Sequence, residues 1–490
     1  MFDYSEIKSV WSSKALATLP GFENDMRYLE FYYHCVGPKL SGRFDTEFWS
    51  RTILQMAHAE HAVRSALIAL SHLNQHQSGT LQHARRSALD GKQYDRMPFW
   101  LNYNKAIRLL VEHMSKPTYS AEQGLVCCLL FACIEFLQAD ANVAFTHIRS
   151  GLNIVHELRQ RKLVGSATKS AETGQDSVNA RSNMVEQVLV PILTQALASA
   201  LPYGASLAKD FAFLDSCPQY FTGRSFSSLD DARSSFFDLR NAAFTIARDM
   251  AIKLYGSLSF TQADHKRRND LLKRHRDWLE ALKAFESSQT IPAADTLSLS
   301  ALRLGYCASY SACACIMDKT QMSYDAHLES YHDINRHASF LIHSLEVGTS
   351  REQNCALTPS ANFTFDTSLI PALFYLAIRC RCPITRRTAI KLLAKDLPRE
   401  GLWDAEQHRI VAERVVEIEE MEVGANGWPT GVSRLCTSRV GTEVDWNNGF
   451  QASFLYTKDI DLAAQKSWSE RLVLGESVKR TLAPFAPTQE

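Results

Sequence analysis

The chain of 490 residues contains twelve cysteines, yet no two of them stand three apart, so no Cys-x-x-Cys pair exists anywhere in it. Structural zinc sites are normally built from such closely spaced thiolates, which set the tetrahedral geometry, so no metal centre is expected. Cys313-Ala-Cys315 and Cys380-Arg-Cys382 are too tight to substitute for one. An excess of charge is missing as well: Lys plus Arg and Asp plus Glu number 53 each, so no global field would hold the chain on a polyanion. Long apolar runs are also lacking. The longest, Leu125 to Ile134 and Val188 to Leu193, fall far short of the roughly 20 residues that span a bilayer, so no membrane partner is expected. The opening Met1-Phe-Asp-Tyr-Ser-Glu carries acids where a targeting signal carries bases before an apolar stretch, which predicts a cytosolic or nuclear chain.

Catalytic signatures are equally scarce. There is no Gly-x-Ser-x-Gly elbow, phosphate-cradling loop or dinucleotide fingerprint, and Ser150-Gly151 and Gly204-Ala-Ser206 stand alone. A hydroxyl with no identifiable base or oxyanion site reads as a hydroxyl at the surface, so neither a catalytic residue nor a cofactor is expected. In His58-Ala-Glu60-His61 the histidines are three apart rather than four and the glutamate is misplaced for a metalloprotease helix. That cluster reads as polar packing. Asn269 to Asp277 comes near the second magnesium motif of terpene cyclases, but Lys273 stands where a hydroxyl is required and would repel the metal. Asp277 replaces the glutamate, and Asp230-Asp231 lacks the third acid of the first motif. Trp100, Trp278 and Trp403, isolated aromatics at helical spacing, read as core packing rather than a pocket lining.

What the sequence does hold is helical periodicity. Apolar residues recur at helical spacing from Ile53 to His72, Asn102 to Met114, Gln123 to Leu137 and Val143 to Leu158. The pattern resumes from Ser234 to Leu258, Gln262 to Phe285, Ser300 to Asp318, Ala326 to Leu345, Asp366 to Leu393 and Glu406 to Glu422. No period-two segment bounded by hairpin turns stands out, so the expected class is all-α and multi-helical. Between them, residues 161–184 are rich in Ser, Thr, Ala, Gly and charge and read as a flexible linker. The expected organisation is an N-terminal segment 1–24, a first helical part 25–160, that linker, a second helical part 185–425 and a C-terminal segment 426–490. In the charged helix from Gln262, Leu271, Trp278, Leu282 and Phe285 share one face. Its Lys266, Arg267, Arg268, Lys273, Arg274 and Arg276 form the densest basic patch in the chain. That patch suits a nuclear-import signal or a phosphate contact, although Asp264, Asp270, Asp277 and Glu280 partly neutralise it, as on an ordinary solvated face.

Several stretches resemble the fungal-specific transcription factor domain of the zinc-binuclear-cluster regulators. The likeness begins with Arg27-Tyr-Leu-Glu-Phe-Tyr-Tyr33, Pro38-Lys-Leu-Ser-Gly42, Phe48-Trp49 and Leu54-Gln-Met-Ala-His58. It continues through Ala66 to Leu73, Tyr103-Asn-Lys-Ala-Ile107, Leu129-Leu-Phe131 and His147 to Leu152. Near the end Phe365-Asp366, Leu369-Ile-Pro371, Ala377-Ile-Arg-Cys-Arg381, Arg386-Arg387, Arg399-Glu-Gly401, Trp403-Asp404 and Val411 to Glu420 extend it. Members of that family ordinarily begin with a six-cysteine zinc cluster, which this sequence lacks; the variant expectation places the cluster upstream of Met1. The resemblance implies a nuclear regulator or co-regulator, often of a metabolic or secondary-metabolite gene cluster, that is not an enzyme. Its implied partners are other transcription regulators, a DNA-binding one among them, and a small-molecule effector. Two other readings stand beside it: a cluster enzyme on a helical, terpene-cyclase-like fold, and a helical adaptor without regulatory output.

Overall fold

The computed structural model describes residues 22–41, 45–89, 95–116, 119–166, 184–198, 225–256, 258–352, 361–460 and 467–475. In chain order the principal helices are α1 Phe22–Phe31, α2 Ile53–Ala59, α3 His61–His76, α4 Leu81–Leu89, α5 Met97–Met114, α6 Ala121–Leu137, α7 Ala141–Ser166 and α8 Val190–Ala198. There follow α9 Leu229–Tyr255, α10 Gln262–Ser288, α11 Ala293–Cys315, α12 Leu328–Glu352, α13 Leu369–Arg379, α14 Pro383–Leu393 and α15 Ala405–Glu419. Three strands come last, β1 Leu435–Val444, β2 Gly449–Tyr456 and β3 Trp468–Val473. The class is all-α as the periodicity predicts, with small sheets added. The chain divides into two units. One takes residues 1–79, 90–188 and 358–365, the other 80–89, 189–357 and 366–490.

In the first unit the centre is α6, where every residue from Gly124 to Leu137 is buried. A helix apolar all round has no solvent face to keep, so its neighbours close over it: α3 on one side and α7 on another. Phe136 meets Phe145 of α7 at 5.6 Å between centroids and Phe365 at 5.9 Å. The 361–365 segment is pinned to this unit by Ala361 N–H donating to the Asn74 carbonyl at 2.8 Å. The histidine-rich turn expected inside one long helix is instead a break. Glu60 is extended (φ −118°, ψ 115°), and Arg64 Nε and Nη2 donate to the Ala57 and His58 carbonyls that close α2. The Glu60 carboxylate turns the other way, accepting from Gln123 and facing His113 at 3.5 Å.

In the second unit α9, α10 and α11 pack on one another, α11 on α12, and α13 on both α14 and α15. The single element expected over Asp366 to Leu393 is two. α13 ends where Cys380 turns extended (φ −71°, ψ 130°), and Pro383 holds Cys382 out of the helical region (φ −64°, ψ 116°), so α14 starts with Pro in its first turn. The strands overturn the expectation that no hairpin is present: they form an antiparallel sheet in the order β1-β2-β3. Register shifts in β1, between Leu435 and Thr437 and between Val440 and Val444, scramble the alternation that would have marked it. The turn at Asp445 to Gly449 holds Asn448 at φ 57°, and Asn-Gly was its signature. Leu254, Cys436, Leu455 and Ile460 seat the sheet on the end of α9. Most of the stretch expected as a linker lies outside the described residues, although α7 continues through its first residues to Ser166.

Candidate functional site

The basic patch sits on α10, and its local structure is fixed at the N-terminus by a reciprocal capping box. Thr261 Oγ1 accepts from Asp264 N–H, and the Asp264 carboxylate accepts from Thr261 N–H at 2.7 Å. The Lys253 ammonium and these donors hold the Asp264 carboxyl below the ordinary aspartate range. The buried face is well tied. Trp278 Nε1–H donates to the Ala232 carbonyl at 3.0 Å, and the indole stacks on Tyr306 at 5.8 Å. His275 lies fully buried between the Leu271 carbonyl and Ser309 Oγ, both 2.9 Å away, and burial pushes its pKa down to about 4.

That anchoring fixes where each basic side chain points, and the six do not form one surface. Arg267 Nη2 pairs with Asp249 of α9 at 3.0 Å, and Arg274 acts on Asp238 of the same helix. Burial raises the Asp238 carboxyl to about 6, with Arg274 opposing the shift. Arg268 turns to the side-chain oxygen of Asn269 at 3.1 Å. Lys266, Lys273 and Arg276 are exposed within an arc of about 80° on the outer face, a run of about 15 Å at the helical rise. One edge of the patch is therefore an ion-paired seam between α9 and α10. The other is an open cationic edge interrupted by Asp270, Asp277 and Glu280, all three exposed.

The remaining sequence candidates separate in space. Trp278 and Trp403 are buried in packing, whereas Trp100 is 41% exposed. His408 stacks on Trp403 at 4.6 Å between centroids. Among the described residues no group of three or more His, Cys, Asp or Glu gathers as a metal site. A cleft of about 170 Å³ beside α15 is lined by Thr80, Gln82, Asp396, Asp404, Glu406 and Arg409 among others. That is below the roughly 300–1,000 Å³ of a small-molecule pocket, and its wall is built of groups already engaged. Asp404 caps α15 through Glu406 N–H and Gln407 N–H and accepts Leu81 N–H at 2.9 Å.

Two features escaped the sequence. Arg381 and Arg386 converge on Glu419 at 2.9 and 2.8 Å, with all three side chains buried, and Leu435 N–H donates to the same carboxylate at 2.9 Å. Both arginines stand more than 30 residues from the glutamate, so no local signal exists. The second is α5, whose outer face is apolar although its inner face is packed; Met97, Leu101 and Val111, all off the inner face, carried that signal.

Residues 27–196, from within α1 to within α8, match the family described as the fungal specific transcription factor domain. The likeness read at residues 365–420 lies outside that match. Over 175 residues the chain is 27% identical to the aspercryptin biosynthesis cluster-specific transcription regulator of Emericella nidulans. The aligned stretch covers 35% of this chain and 26% of that relative, so the chain spans about a quarter of the length of the curated relative it matches. No solved structure matches the chain.

Proposed function

We propose that this chain regulates transcription of a fungal metabolic or secondary-metabolite gene cluster, a reading supported by the match of residues 27–196 to the fungal specific transcription factor domain. The observation that carries the reading is the coincidence of that domain with the buried helical core around α6, alongside a relative named as a cluster-specific regulator. The chain acts in the nucleus, as regulator or co-regulator, through other transcription regulators that include a DNA-binding one, and no catalytic step is assigned to it. A small-molecule effector enters this scheme only if it binds two states of the helical body unequally, since equal affinity shifts nothing. Among the described residues no helix is long and apolar enough to cross a membrane.

Transcript profiling after deletion and after overexpression tests the reading: one co-regulated gene cluster should change in both. Unchanged transcripts in both would remove it. The open edge of α10 supports nuclear import, because Lys266, Lys273 and Arg276 present three exposed cations with no ion-pair partner among the described residues. Replacing all three with Ala in a fluorescent fusion should move the protein from the nucleus to the cytosol. Arg267→Ala and Arg274→Ala should loosen the α9–α10 seam without relocating it, and equal relocation by both sets would sink the assignment of the open edge.

A further inference from the structure

The corner where α13, α14 and α15 meet the start of β1 gathers more positive than negative charge. Arg379, Arg381, Arg386, Arg387 and Arg434 lie there against three carboxylates, Glu419, Glu420 and Asp325. No carboxylate among the described residues pairs with Arg379, whose guanidinium donates to Gln321 Oε1 and to the Leu435 and Cys436 carbonyls and lies over the Tyr324 ring. Asp318, on the same loop as Gln321, turns its carboxylate to Thr320 and Ser323 instead. Arg381, Arg386 and Arg434 are 1%, 0% and 1% exposed. Each keeps one N–H that no group among the described residues accepts: Arg381 Nε, Arg386 Nη1 and Arg434 Nε.

Water satisfies such donors but leaves the charge uncompensated, and in a low-dielectric interior the charge is the larger cost. We infer that a monatomic anion, chloride in ordinary solution, is bound inside this corner between Arg381 and Arg434 and supplies the missing negative charge. The two side chains share an anchor. Arg381 Nη2 and Leu435 N–H each lie 2.9 Å from Glu419 Oε1, which brings the Arg434–Leu435 peptide within about 6 Å of the Arg381 guanidinium. Arg386 Nη1 is turned toward Glu420 Oε1, 3.9 Å away, so Arg381 Nε and Arg434 Nε are the donors assigned to the ion. Burial pushes the Arg381 guanidinium down to about 10 although Glu419 opposes the shift, as befits a cation short of counter-charge.

Chemistry and burial together select the occupant. Guanidinium N–H groups accept only anions. Phosphate and sulfate carry more charge and several oxygens, and stripping their hydration inside a closed corner costs more than two N–H donors return. A carboxylate from another chain is shut out, because the three arginine side chains are almost wholly covered. A halide needs only a small shell of donors. The ion would stand at the joint between α15 and β1, since the Glu419 that holds Arg381 and Arg386 also accepts Leu435 N–H.

Thermal unfolding of the full chain in sodium chloride and in sodium gluconate at equal ionic strength separates ion binding from screening. The melting temperature should climb with chloride along a single-site curve, by several degrees at saturation, and bromide should substitute, whereas gluconate is too large to enter. Arg381→Met removes a donor and a surplus charge together, so its melting temperature should not distinguish the two salts. Glu419→Gln adds to the surplus and should move the chloride midpoint to lower concentration. The same melting temperature in both salts for the unaltered chain overturns the inference, as does a chloride effect that Arg381→Met leaves intact. Bromide anomalous scattering from crystals of the unaltered chain needs no substitution. One peak within hydrogen-bond reach of Arg381 Nε and Arg434 Nε is expected, and peaks confined to the surface would overturn the site.

Discussion

The two units bury opposite chemistry at their centres. In the first, α6 contributes fourteen successive buried residues whose only acid, Glu135, is hydrogen-bonded to Tyr103. In the second, the corner between α13 and α14 buries two guanidiniums on one carboxylate, Arg381 and Arg386 on Glu419. Arg434 is buried close by, paired with Asp325 and donating to the Gln321 carbonyl at 2.7 Å. Apolar packing loses free energy in proportion to what is removed, because each methylene carries its own share of burial. A buried ion cluster has no such gradation: the desolvation cost of each charge is offset only while its partner is present. The first core is tolerant in small steps, and the second is all-or-none.

The largest effect should come from Glu419→Ala, which leaves two buried cations uncompensated and costs about 3–5 kcal/mol in urea unfolding followed by circular dichroism. Glu419 also accepts Leu435 N–H, so the sheet should lose amide-exchange protection in the same variant. The sharpest way to break the comparison is the triple change Arg381→Met, Arg386→Leu and Glu419→Leu. Apolar replacement of a whole buried ion cluster is often neutral or stabilising, so stability should recover to within about 1 kcal/mol of the unaltered chain. A triple variant as unstable as Glu419→Ala would show that packing and not charge governs the corner.

Leu129→Ala in α6 should cost roughly 3 kcal/mol by lost burial and cavity formation, measured the same way. Acid should act on the second unit next. His275 and His408 are both buried and pushed down to about 4, so they fold in the neutral form. The unfolded chain takes up their protons first, near pH 6.5, so stability is full above that pH, falls as pH drops from about 6.5 to 4, and levels below. His408→Phe should flatten part of that slope in melting temperature against pH. The smallest effect expected is from Asp404→Ala, about 1–2 kcal/mol for loss of the α15 cap.

Helix after helix was legible because the 3.6-residue period depends only on local order, and α10 carried its start signal in Thr261 and Asp264. Boundaries set by a single backbone event were harder: Glu60 breaks α2 from α3 through contacts with Gln123 and His113, which no window of sequence contains. The Pro383 break was legible in principle and was covered by apolar residues on both sides. Arg386-Arg387 shows where sequence runs out. Two adjacent arginines read as one charged surface, yet Arg386 is fully buried on Glu419 while Arg387 lies half in solvent against Glu420. The basic patch divided in the same manner, because the acids that neutralise Arg267 and Arg274 lie on another helix.

The Cys380-Arg-Cys382 turn carries a consequence of a kinetic kind. Burial pushes the Cys380 thiol up to about 12, as it does Cys128, Cys307 and Cys313, so these sulfurs stay protonated and unreactive at neutral pH. Cys382 is only half-buried. Although that burial opposes ionisation, hydrogen bonds from Thr385 and from the Thr385 and Ile384 amides bring its thiol below the ordinary value. The second unit therefore carries a chemical clock one residue from its buried ion cluster. Thiol labelling there should be faster from the native state than at Cys380, which waits for the corner to open, so the ratio of the two rates should measure how often it does.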